Sequence, residues 1–403
     1  GLWDEAKAAR TRATALPPSA ALTVAPMASL PQGATEIIEL PGLDQSPWLA
    51  VAEGSTVHLL TAAGAPVRTL QADGRVRVLA WWPEADALLV GCADEKLIAF
   101  ARDGARRWVF TSEMDPAVFR AAKTYWFKSA PGHEGIHGLV TGPFIDGRSQ
   151  CLVGSACTVE IVNPDGSLAQ RLAAFWGPGK IMRLVPTADG GQEATIARWP
   201  NGTDELSLID SRDLKVRRGF YGVPSGHTMV SGWSAQNRVD LIWEDVDADG
   251  AIELVTAING TWNRVTVYGR DGRPRSNAPF GPGGNNNPRA YLRDLKTAPW
   301  GEAGRRVILT ATHEGLVVAL DHECRRLWSR SLPSAPRRLC LAGEGARRVL
   351  VGCDDGTLVA LDESGRIVAG GRAPARVEHL IGLEGGAVLA ADAKGALLRV
   401  ALP

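Results

Sequence analysis

The sequence predicts an all-β fold, an eight-bladed β-propeller, on the basis of three observations. A repeat recurs eight times, and its copies begin near Trp48, Leu88, Cys151, Ala194, Glu253, Val307, Val349 and Val388. The shortest interval separates Val349 from Val388 (39 residues) and the longest separates Leu88 from Cys151 (63 residues), a period typical of one four-stranded sheet per repeat. The 45 glycines and 25 prolines suit short strands joined by many turns. A seven-bladed ring is the alternative if one copy is an insertion.

Each repeat reads as four strands, which we name A to D from the axis to the rim. The copy at 349–365 is the clearest: strand B is RRVLVGC, strand C is TLVALD, the C–D turn is Glu-Ser-Gly and strand D begins RIVAGG. The C–D turn recurs as Asp-Gly at 103–104, 165–166 and 271–272. Asp-Gly tolerates the positive φ of short hairpins, so these segments are predicted to be antiparallel hairpins.

The two ends of the chain differ from the repeats. Residues 2–15 are helix-like, with Leu2, Trp3 and Ala6 able to share a face, and Pro17 and Pro18 end that segment. We therefore divide the chain into an N-terminal helix and linker (1–20) and a propeller (21–403). The last repeat lacks its outer strand, and residues 21–26 (ALTVAP) are predicted to supply it and close the ring. The first residue is Gly, which a processed precursor or the C-terminal region of a larger protein would explain.

Composition excludes several functional classes. The chain has 44 basic and 44 acidic residues, so no net charge favours nucleic acid or an anionic membrane. No apolar run reaches the roughly 20 residues of a membrane span. The six cysteines do not form a disulfide framework, and Cys92, Cys151 and Cys353 are expected to be buried apolar residues.

The run Gly356-Thr-Leu-Val-Ala-Leu-Asp-Glu-Ser-Gly365, together with Trp108 and Trp328 in D strands, resembles the repeats of quinoprotein-like (PQQ-like) eight-bladed propellers. This resemblance covers most of the chain and implies the architecture. Quinoprotein dehydrogenases usually carry a disulfide between adjacent cysteines at the cofactor. No such pair exists here, so no quinone is expected.

An acidic segment, Asp245-Val-Asp-Ala-Asp-Gly-Ala-Ile-Glu253, has carboxylates at alternate positions and a glycine where the chain must turn. That is the physical recipe for a calcium loop, here with Asp245, Asp247, Asp249 and Glu253 as ligands. It resembles the calcium loops of FG-GAP-type propeller repeats and of some propeller polysaccharide lyases. We expect a structural calcium ion in the A–B turn of blade 5. The alternative is a solvated turn whose Asp side chains bond their own backbone.

Long segments are predicted to converge on one face of the propeller. B–C turns and the crossovers between blades emerge at the same end, and the long ones are 111–135, 174–180, 198–204, 221–238, 259–264 and 280–290. Aromatic side chains together with amides and guanidinium groups are typical of a glycan cleft. The alternative is that these aromatic side chains pack large inter-blade loops against one another. The candidate substrate-binding residues are Lys128, Trp176, Arg198, Trp199, Trp233, Trp262, Asn263, Arg264, Asn286, Arg289 and His313.

Four residues of the same face are candidates for proton transfer: Tyr125, His133, His137 and His227. The spacing His133-x-x-x-His137 would suit zinc on a helix, but Pro131, Gly132, Gly135 and Gly138 disfavour a helix there. A general base or a hydrogen-bond donor is therefore the expected role. An ordinary loop histidine is the alternative.

These observations lead to two hypotheses of different classes. The first is a bacterial carbohydrate-active protein, periplasmic or secreted, that binds and cleaves a uronic-acid-containing polysaccharide by β-elimination. In this mechanism a base removes the proton next to the carboxylate while Arg or Lys stabilises the enolate. The resemblance to propeller lyases implies this activity through the fold and the calcium loop. The second is a non-catalytic glycan- or protein-binding propeller module of a larger protein. A quinone-dependent oxidoreductase is a third, weaker reading.

Overall fold

The computed structural model is an eight-bladed β-propeller, so the fold predicted from the repeat is confirmed. It describes residues 20–44, 47–116, 135–155, 158–174, 179–198, 206–220, 237–259, 262–282 and 291–403. The predicted N-terminal helix, residues 2–15, lies outside these ranges. No helix in the described ranges has the length and the apolar composition that crossing a membrane requires.

Blades 1 to 4 belong to one compact unit, Thr35–Gly219. Each is a four-stranded antiparallel sheet in sequence order. Blade 1 contains β3 (Glu36–Pro41), β4 (Pro47–Glu53), β5 (Thr56–Thr61) and β6 (Pro66–Gln71); blade 2 contains β7 (Val76–Trp82), β8 (Ala87–Cys92), β9 (Lys96–Ala101) and β10 (Arg106–Thr111). Blade 3 contains β11 (Gly138–Pro143), β12 (Ser149–Ser155), β13 (Thr158–Val162) and β14 (Leu168–Ala173); blade 4 contains β15 (Gly179–Pro186), β16 (Gln192–Arg198), β17 (Leu206–Asp210) and β18 (Val216–Gly219).

Blades 5 to 8 belong to a second unit, which combines Phe220–Pro403 with the segment up to Ala34. Blade 5 contains β19 (Asn237–Glu244), β20 (Glu253–Asn259), β21 (Trp262–Tyr268) and β22 (Pro274–Pro282); blade 6 contains β23 (Leu292–Ala298), β24 (Val307–Thr312), β25 (Leu316–Leu320) and β26 (Arg326–Ser331). Blade 7 contains β27 (Pro336–Ala342), β28 (Arg348–Cys353), β29 (Thr357–Asp362) and β30 (Ile367–Arg372); blade 8 contains β31 (Val377–Gly382), β32 (Val388–Asp392) and β33 (Ala396–Ala401).

The N-terminal strands complete the last two sheets of the second unit. β1 (Ala20–Ala21) pairs in parallel with β30 at the rim of blade 7. β2 (Thr23–Ser29) pairs antiparallel with β33, from Thr23 opposite Ala401 to Ser29 opposite Ala396. β2 overlaps the segment 21–26 that the sequence analysis assigned to the outer strand of the last blade. It gives blade 8 its fourth strand and covers an edge that would otherwise expose unpaired backbone groups.

The core lies between neighbouring blades. The B strands are buried along almost their whole length, as in β8 and β20, because each is covered on both faces. The apolar clusters accordingly join consecutive sheets: one joins blades 1 and 2, and another joins blades 6 and 7. The D strands are exposed at the rim, as in β6. Burial of the middle strands is therefore the main stabilising contribution in each unit.

The aspartate of the repeat builds the C–D turn. In blade 7, Asp362 Oδ1 accepts hydrogen bonds from the backbone N–H groups of Ser364 and Arg366, both 3.0 Å away. In blade 6, Asp321 Oδ1 accepts from Glu323 at 3.0 Å and Arg325 at 2.8 Å. A side-chain oxygen thus satisfies backbone donors that the turn leaves without strand partners.

The tryptophans of the D strands join adjacent blades. Trp328 Nε1 of blade 6 donates to Glu363 O in the C–D turn of blade 7, 2.8 Å away. Its ring covers Gly365, whose φ is +75°, and a Cβ on Gly365 would lie 2.5 Å from the ring. Trp108 makes the same contact from blade 2, donating to Pro164 O at 2.8 Å. The glycine of the repeat is required by both the positive φ and the close approach of the indole.

Replacing Trp328 by Phe should destabilise the protein by about 1–3 kcal/mol, because a hydrogen bond and part of a packed ring are lost. The urea midpoint measures this effect. The adjacent Leu327 is 52% exposed, so Leu327→Ala is a matched control that should change stability by no more than ~0.5 kcal/mol. Equal losses in the two variants would contradict the inter-blade role of the indole.

Candidate functional site

We call the end of each blade from which the B–C turn emerges the B–C end, and the opposite end the A–B end. In the second unit, the innermost strand of every blade begins at the B–C end with a β-bulge, where the strand register shifts by one residue. Three of the extra residues are charged: Arg293 on β23, Arg337 on β27 and Glu378 on β31. A bulge redirects the extra side chain, so it brings these three charges together.

These bulge residues form an ion-pair cluster across blades 6 to 8, which we call the arginine–carboxylate chain. Arg293 donates two hydrogen bonds to Asp354 of the blade 7 B–C turn, from Nη1 at 2.7 Å and from Nη2 at 3.0 Å. Arg337 lies 3.7 Å from the same carboxylate and 2.7 Å from Glu378. Arg376 Nε donates to the other oxygen of Glu378 at 2.6 Å. The chain thus runs Arg293, Asp354, Arg337, Glu378, Arg376.

Two partly buried side chains, Arg338 and His379, lie beside the arginine–carboxylate chain. Arg338 Nε donates to the backbone carbonyl of Glu378 at 2.7 Å, and burial lowers the pKa of Arg338. His379 Nε2 donates to Ala34 O at 3.2 Å. Burial, followed by the charge of Arg338, lowers the pKa of His379 below its usual 6.5. The His379 ring is therefore neutral at physiological pH, with its proton on Nε2.

The carboxylates of the chain are held ionised. Burial alone would raise the pKa of Asp354, but the hydrogen bonds and charge of Arg293 outweigh burial and lower it. Burial likewise opposes Arg376 and Arg337 at Glu378, whose pKa is also lowered. A carboxylate with a lowered pKa is a poor general acid at neutral pH. The chain therefore presents fixed charges in a fixed arrangement, which suits recognition better than proton transfer.

His313, a predicted substrate-binding residue, lies beside this cluster in the B–C turn of blade 6. Its backbone N–H donates to Tyr291 O at 2.8 Å. Its charged form would be close enough to Asp354 to lower the pKa of that carboxylate. Among the predicted residues that the structure describes, His313 is the one next to the arginine–carboxylate chain.

The first unit has basic residues at two equivalent positions, Arg77 on β7 and Lys180 on β15. Arg77 is the bulge residue of β7, and its Nη1 donates to His137 Nε2 at 2.8 Å. A guanidinium group can only donate, so Nε2 of His137 is the acceptor and the ring proton lies on Nδ1. The nitrogen that would accept a proton in catalysis is thus already hydrogen-bonded to Arg77.

The structure describes both ends of the 111–135 crossover. Hydrogen bonds fix each end to the B–C end of blades 2 and 3. Ser112 Oγ donates to the buried Glu160 of blade 3, and the Glu113 N–H donates to the same carboxylate at 3.0 Å. Arg171 Nε balances its charge at 2.9 Å. At the other end, the N–H groups of Ile136 and His137 donate to Cys92 O and Gly154 O.

The structure describes four of the remaining candidate residues: Arg198, Trp262, Asn263 and Arg264. Asn263 is fully buried and Arg264 is 1% exposed, both on β21, so neither lines an open surface by itself. Arg198 ends β16 opposite Gly179, and Trp262 begins β21 opposite Pro282. The others lie outside the described residues: Tyr125, Lys128, His133, Trp176, Trp199, His227, Trp233, Asn286 and Arg289.

The acidic segment of blade 5 folds into a loop whose carboxylates converge. Ligand oxygens of Asp245, Asp247 and Glu253 lie within 4.8 Å of one another. The N–H groups of Asp249 and Gly250 donate to Asp245 at 3.2 and 2.9 Å, and Asp249 accepts from the Ala251 N–H. Burial raises the pKa of Glu253. Three converging carboxylates match the oxygen ligands that calcium prefers.

Arg275 of β22 is already bound to this loop. Its Nη1 lies 2.8 Å from Glu253 and 3.5 Å from Asp247. The guanidinium group supplies positive charge where the metal would supply it. The loop therefore fits calcium if Arg275 moves aside, and it is neutralised in part by Arg275 if no metal binds.

Sequence reasoning missed Arg77, Arg275, Arg293 and Arg337. The bulge residues share a position, because Arg77, Arg293 and Arg337 each stand second in the A strand that the structure shows. Alternation alone assigns such a residue to one face of a strand. The bulge that redirects it depends on pairing with strand B, which a single-strand pattern does not contain.

The five described cysteines are buried, and none of them forms a disulfide bond. Burial raises the pKa of Cys92 and Cys340 to about 11 and that of Cys324 to about 12. Burial also raises the pKa values of Cys151 and Cys353. Thiols in this state are poor nucleophiles, in agreement with a packing role.

No protein-family model and no curated protein matches this chain. Solved structures do match it. Sqt1 of Saccharomyces cerevisiae is 13% identical with a TM-score of 0.66, over 96% of this chain and 99% of that one. BamB from Moraxella catarrhalis is 14% identical with a TM-score of 0.58, over 94% and 98%. BBS1N, in a complex with ARL6DN, is 13% identical with a TM-score of 0.55, over 96% and 98%.

At these identities the similarity shows the propeller fold alone. The finer resemblances to PQQ-like and FG-GAP-like repeats and to polysaccharide lyases stay predictions.

The neutral, partly buried His379 gives a pH prediction. Its pKa is lower in the folded chain than the 6.5 of an unperturbed histidine, so the unfolded chain takes up the proton first. Stability is then complete above pH 6.5 and falls as the pH drops below that value. His379→Gln keeps a donor for Ala34 O and should flatten this fall, as measured by urea unfolding across pH. His322→Gln, in a turn of the same unit, is the control and should keep the wild-type slope. A slope unchanged in His379→Gln would contradict the assignment.

Proposed function

We propose that this protein is a non-catalytic binding propeller that holds an acidic segment of a partner protein at the B–C end of blades 6 to 8. The observation that carries the proposal is the arginine–carboxylate chain, in which bulges of three successive blades place Arg293, Arg337 and Glu378. Asp354 and Arg376 complete it, so that three guanidinium groups surround two carboxylates. Charges that are held in place before binding suit recognition, because no side chain has to be reorganised when the partner binds.

The charge balance favours an acidic partner. Three arginines against two carboxylates give the arginine–carboxylate chain a formal charge of +1, and the adjoining Arg338 raises the local charge to +2. Asp294 and Lys296, 3.3 Å apart, cancel each other. Arg376 has half of its side chain exposed, and Arg337 a quarter. Both can therefore reach a carboxylate of a partner while they stay bound to Glu378.

The protonation states support binding over catalysis at this position. Asp354 and Glu378 are ionised, and His379 is neutral with its Nε2–H bound to a carbonyl. None of the three combines an exchangeable proton with a pKa near neutrality and an open face. Among the similar solved structures, the BBS1N–ARL6DN complex provides a precedent for a protein partner on a propeller.

The binding of a fluorescent acidic peptide, such as a glutamate-rich decamer, tests the proposal. Arg376→Gln and Arg337→Gln should each weaken binding about 5- to 10-fold, and added salt should weaken the wild type, because the interaction is electrostatic. Arg325→Gln is the control, since Arg325 lies in a C–D turn at the other end of blade 6. A glutamine-rich peptide should not bind.

The outcomes separate the partner classes. Binding that is equal in all variants would contradict the assignment to this cluster. Tight binding of polygalacturonate with no binding of the acidic peptide would replace the protein partner with a glycan.

The second candidate is the polysaccharide lyase, for which the adjacent Arg77 and His137 are the favourable observation. Arg77 would hold a uronate carboxylate, which would release Nε2 of His137 for proton transfer alongside Tyr125, His133 and His227. New unsaturated uronate ends absorb in the ultraviolet, so purified protein with calcium can be assayed on a panel of acidic polysaccharides. Absorbance that rises with the wild type but not with His133→Ala or His227→Ala would establish elimination. A flat trace across the panel would refute it for those substrates.

We also propose that the blade 5 loop binds calcium as a structural ion through Asp245, Asp247 and Glu253, with Arg275 as its competitor. Calcium should raise the melting temperature relative to EDTA, and Asp247→Asn should abolish that rise. Arg275→Gln removes the competing cation and should lower the calcium concentration needed for half of the effect. Asp271→Asn, in the adjacent C–D turn, is the control. A melting temperature insensitive to calcium in both the wild type and Arg275→Gln would leave Arg275 as the cation of this loop.

A further inference from the structure

A cavity of about 690 Å³ lies at the A–B end of blades 7 and 8, opposite the arginine–carboxylate chain. It opens between the A–B turn of blade 7, residues 343–347, and that of blade 8, residues 383–387. The end of the blade 8 C strand, at Ala401 and Leu402, forms another wall. Its volume falls within the roughly 300–1,000 Å³ of small-molecule sites.

The floor of this cavity is built by direct backbone contact between the two turns. The Gly343 N–H donates to Gly386 O at 3.0 Å, and a Cβ on Gly386 would lie 3.0 Å from Gly343 C. Blade 6 fixes the first turn from the other side, because Trp300 Nε1 donates to Ala346 O at 2.7 Å. Three blades therefore hold the shape of the cavity without a ligand.

Three arginines line the cavity: Arg347, Arg348 and Arg399. Arg348 Nη1 donates to Arg347 O at 2.9 Å, which orients its guanidinium group. Arg347 is 72% exposed and lies 3.2 Å from Glu363. No acidic side chain is among the described residues that line the cavity. Glu344 and Glu384 belong to the same two turns, and their side chains lie outside what the structure describes.

We propose that this cavity binds the oxyanion group, phosphate or carboxylate, of a small molecule. A guanidinium group can donate two parallel hydrogen bonds to a pair of oxygens of either anion, and the cavity is lined by three such groups. The walls at Ala401 and Leu402 would contact an apolar part of the ligand. The site is separate from the partner-binding surface proposed above, and its occupancy does not depend on that proposal.

Isothermal titration calorimetry on the full chain tests this inference, with inorganic phosphate, pyrophosphate and citrate as probes and chloride at equal ionic strength as the blank. Saturable binding is expected for at least one probe. Arg348→Gln and Arg399→Gln should each weaken it about tenfold. Arg325→Gln, at the same end of blade 6 but outside the cavity, is the matched control and should bind like the wild type.

The probes also distinguish the two sources of the oxyanion. Preference for phosphate and pyrophosphate would identify a phosphorylated ligand, and preference for citrate a carboxylic acid. Ala401→Phe keeps all three arginines but fills part of the cavity. It should weaken the binding of citrate more than that of inorganic phosphate, because citrate is larger. The absence of saturable heat with every probe, or binding that Arg348→Gln and Arg399→Gln leave unchanged, would overturn the proposal.

Discussion

The burial of each B strand between two neighbouring sheets is the interaction on which the rest of the structure depends. A blade by itself has two apolar faces, so it is stable only when the next blade covers it. The B strands of blades 2 and 5 are buried along their full length for this reason. The tryptophan contacts at the rim and the aspartate turns then fix the distance and orientation of adjacent blades.

This packing explains why the arginine–carboxylate chain and the cavity of blades 7 and 8 both lie at strand ends. At the B–C end, bulges redirect Arg293, Arg337 and Glu378 out of the regular alternation. At the A–B end, two glycine-rich turns approach so closely that a cavity forms beside them. In both places the backbone determines which residues bring their charges to the site. Such preorganisation lowers the cost of binding a charged ligand.

Arginine recurs in four different roles in this protein, although the polypeptide has no net charge. Arg293 and Arg337 hold carboxylates ionised, and the charge of Arg338 helps to keep His379 neutral. Arg275 stands where the acidic loop of blade 5 would bind calcium. Arg348 and Arg399 line a cavity. The local arrangement of charges, rather than their sum, thus defines the binding properties that we propose.

The sequence by itself determined the fold class, the number of blades and the four-strand pattern of a blade. It could do so because the hydrophobic period and the turn residues are local properties that recur from repeat to repeat, as in the run Gly356–Gly365. Only the tertiary structure decided that Arg293, Asp354, Arg337 and Glu378 form one cluster, or that Arg275 reaches the acidic loop. These residues belong to different strands and blades, and their proximity follows from register, bulges and inter-blade packing. Those are relations between segments, which a pattern within one segment does not contain.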